Sequence, residues 1–398
     1  MNNLLSDRAL NLTESATIAM SRKSRELKEQ GVNVISLSLG EPDFNVPEFV
    51  KEAGISAIIQ DFSKYPPVPG YKDLKEAISA KFKRDNNLDY TMDQIVVSTG
   101  AKQSIMNVVL SLINDGDEVI LPAPYWVSYA EMVKFAGGVP VVIETNIEND
   151  FKLTPQQLQK AITPKTKLMI FSSPCNPSGA AYTKDGLGEL AKVISGNDNF
   201  MVIADEIYEY INFSGKHYSL ASYPAMYERV ITINGVSKGF AMTGYRIGYM
   251  GAPKWVADSC TKIQGQFTSG ASSIAQMAAK KAVLTDPSEI SFMRDAFMKR
   301  RDLVKTLLDE IKGVITNVPE GAFYHFPDVS ALFGKSANGI TVNSSSDLAM
   351  YLLSEAHVAV VGGDSFGNPK NIRLSYAASE DDLKEALSRM KIAIEKLS

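Results

Sequence analysis

Seven short apolar runs between residues 94 and 251 limit most sharply what this chain can fold into: 94–98, 118–121, 139–144, 167–172, 200–204, 230–234 and 246–251. Several, KLMIFSS and FMVIAD above all, are apolar at consecutive positions rather than alternate ones. A strand with one wet face alternates; a strand buried on both faces does not, and the second pattern belongs to mostly parallel sheets. Helical patterns fill the gaps, for example over 102–113, 127–135 and 183–194. Strand and helix in alternation predict a doubly wound α/β domain around a seven-stranded sheet.

The two ends read differently. Residues 15–30 form an amphipathic helix closed by Gly31, a residue suited to the left-handed conformation of a helix cap. A long charged helix is expected over 289–312, strands over 322–326, 358–361 and 371–376, and a final helix over 379–397 with Ser379 and Asp382 at capping-box spacing. The expected organisation is a large α/β domain, 46–288, and a smaller α+β domain built from both termini, 1–45 and 289–398.

Composition removes several function classes. A net charge of −4 gives no global pull towards nucleic acid or an anionic membrane. No apolar stretch is long enough to span a bilayer, and the opening residues lack a secretory pattern. With only Cys175 and Cys260 there is no disulfide framework, so a cytoplasmic protein is expected. His217, His325 and His357 are scattered singly, with no HExxH and no second ligand at metal spacing, and each is expected to be a surface or packing residue with no metal site. A GxSxG elbow is absent, as is a G-x-G-x-x-G after the first strand.

Ligands of open α/β sheets bind outside the carboxyl ends of the strands. The first run ends in S-T-G-A-K and opens a helix, so Gly100, Ala101 and Lys102 offer free amides for an anion. Later strand ends supply Trp126 in PAPYW, Asn176 in SPCNPSG, Asp205 with Tyr208 in ADEIYEY, and Ser237 and Lys238 in VSK, followed by Arg246. Singly each is bland: a lysine is usually a solvated charge, an aspartate after a strand a helix cap, and Asn-Pro-x-Gly a turn. Together they put an anion cradle, an aromatic plate, a carboxylate, a phenol, an amine and a guanidinium at one edge of one sheet.

At this point the chain resembles the class I aminotransferases of pyridoxal-phosphate fold type I, and most closely the bacterial aspartate aminotransferase branch with prephenate-accepting members. SPCNPSG, ADEIYEY and SKGFAMTGYRIGY carry the resemblance, extended by SLSLGEPDF (36–44), YPPVPGY (65–71), AFYHF (322–326) and NIRLSYA (371–377). It implies pyridoxal 5'-phosphate as cofactor, bound as a Schiff base on Lys238, which also moves the substrate proton. It assigns the pyridine nitrogen to Asp205, the phenolic oxygen to Tyr208 and Asn176, ring stacking to Trp126, and the phosphate to Gly100, Ala101, Lys102, Ser237 and Arg246. Tyr65 would reach the phosphate of a neighbouring subunit, which implies a homodimer with shared active sites. Arg373 would clamp the substrate carboxylate, with Gly40, Trp126 and Asn176 around it.

The implied reaction is ping-pong transamination, aspartate and 2-oxoglutarate giving oxaloacetate and glutamate. In that branch a lysine in the place of Lys102 meets the distal carboxylate of aspartate, and Ser15 and Thr17 lie over the same pocket. Prephenate-accepting members carry a basic residue just before this Ser-Ala-Thr; here Thr13 and Glu14 stand there, which leans towards aspartate. Cys175 and Ser178 depart from the Asn and Thr common in relatives, and Cys175 is expected to be a packing residue. Aromatic amino acids, alanine or prephenate remain alternatives, as does a lyase on the same fold.

Overall fold

All seven runs are strands, and they lie in one sheet. The computed structural model describes residues 4–398. Within it the strands are β1 (Ile95–Thr99), β2 (Glu118–Ala123), β3 (Val139–Glu144), β4 (Thr166–Ser172), β5 (Met201–Asp205), β6 (Val230–Gly235) and β7 (Ile247–Gly251). Their spatial order is β1-β7-β6-β5-β4-β2-β3. Every pairing is parallel except the two made by β7. That reversal brings the start of β7, with Arg246, to the edge where the other strands end.

The consecutive apolar pattern has the predicted cause. Met169, Val202 and Val230 pack into one core cluster, while their chain neighbours Ile170, Ile203 and Ile231 pack into another across the sheet. Helices Ala101–Leu112, Ser128–Phe135 and Lys184–Ser195 fall within a residue of their expected bounds. Only the edge strand β3 is half-wet, with Val139 and Val142 exposed.

The remaining strands are shorter than the sequence suggests. Helix Ala16–Glu29 ends at Gly31 with φ +86°, and helix Glu380–Glu395 is capped by Ser379 accepting from the Asp382 amide, both as expected. The helix expected over 289–312 begins with a 3-10 turn, Pro287–Ile290, before Ser291–Asp309. A three-stranded antiparallel sheet holds β8 (Tyr324–His325), β9 (Val361–Gly362) and β10 (Ile372–Ser375), with β10 central. The strand expected over 322–326 is cut short because Ala322 takes a positive φ of 57°. The one expected over 358–361 divides, because Val358–Ala359 pairs with Ile35–Ser36 and Val361–Gly362 pairs with β10. Leu37 then joins both ends of the chain: its amide donates to Ala359 O and its carbonyl accepts from the Ser375 amide.

Close backbone approach fixes where this framework presents its edge. A Cβ on Gly248 of β7 would lie 2.1 Å from the Ala101 amide nitrogen and 2.4 Å from the Gly100 carbonyl carbon. Gly248→Ala is therefore expected to push the N-terminus of helix Ala101–Leu112 off the sheet and destabilise the fold by about 1–3 kcal/mol, read from the midpoint of urea denaturation.

Candidate active site

The strand ends surround one cavity of about 260 Å³. Gly40, Ala101, Lys102, Trp126, Asn176, Asp205, Tyr208, Ser237, Lys238, Arg246 and Arg373 all line it, together with Ser15 and Thr17 from the first long helix. Gly100 stands just behind: its φ is +81°, and a Cβ there would sit 2.2 Å from Arg246 Nη2. The turn after β1 thus needs glycine both for its conformation and for the guanidinium laid against it. Tyr65 is the one candidate not brought in, being 96% exposed and outside the cavity.

Lys238 Nζ donates to the Gly40 carbonyl at 2.5 Å. Burial, reinforced by Arg246 and Arg373 and opposed by Glu41, brings its pKa down to about 8. Asp205 ends β5; its Oδ2 accepts from the Tyr129 hydroxyl at 2.6 Å and its Oδ1 from the Ile207 amide at 3.3 Å. Burial pushes Asp205 up to about 6, with those two donors holding it down. The Tyr208 hydroxyl meets that of Tyr324 at 2.8 Å. Lys102 Nζ lies 4.8 Å from the centre of the Trp126 ring, and burial, helped by Arg246, lowers its pKa.

Arg373, in β10, is 1% exposed. Its Nη1 donates to Asn176 Oδ1 at 2.9 Å and its Nη2 to the Ser38 carbonyl at 2.5 Å. Tyr324 and Phe366 cover its two faces, with ring centres 4.6 and 5.0 Å from Cζ. Its Nε is buried without a partner.

Sequence reasoning missed Tyr129, Tyr324 and Thr243 as lining residues. Tyr129 had one available signal, its place three residues after Trp126, in the first turn of the helix that follows it. Tyr324 lies within AFYHF but nothing local marks its hydroxyl, and Thr243 shows its role only through a hydrogen bond to Glu41. Cys175 is buried, as expected of a packing residue. His325 is packing too, fully buried with Nε2 2.9 Å from the Arg301 carbonyl. His217 instead joins Glu206 and Glu209 in a buried polar cluster whose cation is Lys81.

The balance of charge at the cavity says what it takes. Four cations line it, Lys102, Lys238, Arg246 and Arg373, against one carboxylate, Asp205. Among the described residues none of the four forms an ion pair. Arg373 is buried and Lys238 half-buried, while Lys102 and Arg246 stand at the open side. A buried cation without a counter-ion is costly, and a concave surface with this excess of positive charge favours ligands that bring negative charge.

Residues 32–390 match the family described as aminotransferase class I and II. The chain belongs to that family. A probable aspartate/prephenate aminotransferase of Rhizobium leguminosarum is 46% identical over 390 residues, 97% of this chain and 98% of the relative. A bifunctional aspartate aminotransferase and glutamate/aspartate-prephenate aminotransferase of Petunia hybrida is 45% identical, over 98% of this chain and 82% of the relative. Among solved structures, the aspartate aminotransferase of Rhizobium meliloti superposes with a TM-score of 0.95 at 40% identity, covering 99% of both chains. That of Thermus thermophilus with maleate gives 0.91 at 40% identity, over 98% of this chain and 99% of that one. This aminotransferase therefore has the α/β fold type I architecture that the resemblance implied.

The lowered pKa of Lys238 is directly measurable. In competitive labelling of the cofactor-free protein with an acylating reagent, Lys238 should reach half-maximal reactivity near pH 8. Surface lysines should do so near pH ~10.4. A Lys238 profile that follows the surface lysines would contradict the geometry described.

Proposed function

We propose that this aminotransferase uses pyridoxal 5'-phosphate to carry an amino group from L-aspartate to 2-oxoglutarate, in two half-reactions at the one cavity. The observation that carries the reading is that three unpaired cations, Lys102, Arg246 and Arg373, surround the Lys238 amine and a single buried carboxylate. The cofactor, when bound, supplies an electron sink for the carbanion left when the substrate Cα loses its proton. Every other task falls to the chain.

The residues fit that group. The amides of Ala101 and Lys102 open a helix and have no acceptor within it, beside Ser237 and the Arg246 guanidinium; a phosphate dianion matches this cradle. Asp205, held ionised by Tyr129, would face the pyridine nitrogen, Tyr208 and Asn176 the phenolic oxygen, and Trp126 the ring. Lys238, with a pKa near neutrality, can give and take the Cα proton at its Nζ. Arg373, its fork oriented by Asn176 and Ser38 and its Nε still free, would receive the substrate carboxylate.

Lys102 would take the second carboxylate of aspartate, its ammonium lying over Trp126 with no acid beside it. The Thermus relative solved with maleate, a dicarboxylate, supports a site for two carboxylates. Tyr65, fully presented to solvent, is suited to reach the phosphate of a second copy, so we take the working form to be a homodimer. We also take 46–288 as the cofactor-bearing domain and 1–45 with 289–398 as the smaller one; the pairing of Ile35–Ser36 with Val358–Ala359 supports this division.

Prephenate as acceptor is a second reading, favoured by the names of the Rhizobium leguminosarum and Petunia relatives. Here Glu14, an acid bound to Arg22 at 2.9 Å, stands just before Ser15 of the cavity, and it adds no positive charge to receive a second anionic group. Rates with aspartate and each keto acid in turn decide between the two acceptors.

L-Aspartate added alone to the loaded enzyme should release oxaloacetate in a single equivalent per site, and Lys238→Ala should abolish this. Release of some other fragment, without transfer of nitrogen, would point to a lyase. Lys102→Ala should lower kcat/KM for aspartate by about 10–100-fold, the worth of one charge-assisted hydrogen bond. Uncharged donors should be little affected, and an equal loss across donors would reject the side-chain role.

A further inference from the structure

The turn that carries the cofactor-facing residues has a second face. Asp205 and Tyr208, three residues apart, line the cavity, whereas Glu206 and Glu209, also three apart, are buried outside it. Glu206 Oε2 accepts from His217 Nε2 at 2.8 Å, Ser219 Oγ at 2.5 Å and Asn86 Nδ2 at 3.1 Å. Glu209 Oε2 accepts from the same Asn86 amide at 2.9 Å, and its Oε1 is ion-paired with Lys81. Lys81 in turn donates to Asn86 Oδ1 at 2.7 Å and lies 3.8 Å from Asp85.

Counting charge in this pocket leaves one open position. Asp85 is matched by Arg84, which binds both its oxygens, and by the Tyr210 hydroxyl at 2.6 Å. Tyr90, whose hydroxyl is engaged with Thr232, and Tyr249, buried within reach of the charges of Glu209 and Asp85, are also turned this way, and burial keeps both phenols neutral. What remains is Glu206 and Glu209 against Lys81 and His217, a set that is neutral only with the imidazole protonated. Burial alone would favour the neutral ring, but Glu206 and Glu209 outweigh it and Lys81 opposes them, so the pKa of His217 stands above its ordinary value.

We propose that His217 is a positioning residue for the reaction: as an imidazolium on Glu206 it neutralises the carboxylate next in the chain to Asp205 and so keeps Asp205 ionised towards the cofactor. This rests on the reading of Asp205 given above. The physical link is short. The charge of Glu206 favours the protonated form of Asp205, and a like charge freed of its counter-ion does so more strongly. A protonated Asp205 cannot hold a proton on a ring nitrogen.

Three measurements test it. With only three histidines in the chain, imidazole resonances are readily assigned, and His217 should be cationic at pH 7 in the folded cofactor-free protein. A neutral ring there would overturn the proposal. In His217→Gln the acid limb of kcat/KM should move up by about one pH unit, and cofactor titrated into the apoprotein at pH 7 should bind roughly tenfold more weakly. The double variant Glu206→Gln/His217→Gln removes both charges and should return both readouts towards wild type. A merely structural role predicts a double variant worse than the single one and no shift of the acid limb, and either result would sink the idea. If Asp205→Ala binds the cofactor as tightly as wild type, the reading of Asp205 itself fails and the proposal falls with it, whatever the charge of His217.

Discussion

Arg373 carries a full positive charge inside the protein, and among the described residues no carboxylate pairs with it. Such a charge is tolerable only when hydrogen bonds and polarisable faces surround it. Here the partners come from distant parts of the sequence: the carbonyl of Ser38, the amide oxygen of Asn176, and the rings of Tyr324 and Phe366. Much of the smaller sheet arrangement follows from this requirement. The segment after Ile35–Ser36 must run beside β10 for Ser38 to reach the guanidinium, and Leu37 secures it there by bonding to Ala359 and Ser375. The two ends of the chain meet around this cation.

The same electrostatics tie the sheet edge to the smaller strands. Arg373 and Arg246 both help to depress the pKa of Lys238, which places its amine near neutrality. Gly40, which follows Ser38 by two residues, lends its carbonyl to that amine. A shift of the N-terminal segment would therefore disturb the Arg373 guanidinium and the Lys238 amine together. The two cations share one support.

The large sheet was legible because its signal is local. Consecutive apolar residues, glycines at strand ends and helical periodicity each act within a few residues, and burial on both faces keeps β4 to β6 mostly apolar, with Thr232 and Asn234 as buried polar exceptions inside β6. The chemistry-bearing residues Lys238, Asp205, Asn176 and Arg246 could be placed because strand ends of such sheets converge on one edge. The short strands were less legible. Positive φ at Ala322 and the division of 358–361 between two partners are set by packing against distant segments, and their local sequence looks like ordinary strand. Tyr129 and Tyr324 escaped for a related reason, since a tyrosine in an apolar helix or strand reads as core until a hydroxyl partner is seen.

The sequence by itself determined the sheet, the family and the set of side chains that meet at the sheet's one edge, because those depend on periodicity and on residue types at strand ends. Only the tertiary structure decided the balance of charge: which cations are left unpaired, which hydroxyl steadies Asp205, and how Glu206 and Glu209 are neutralised behind it by residues from 81 to 219. Charge balance is a sum over neighbours in space, and burial, which sets the strength of each term, exists only once the chain has folded.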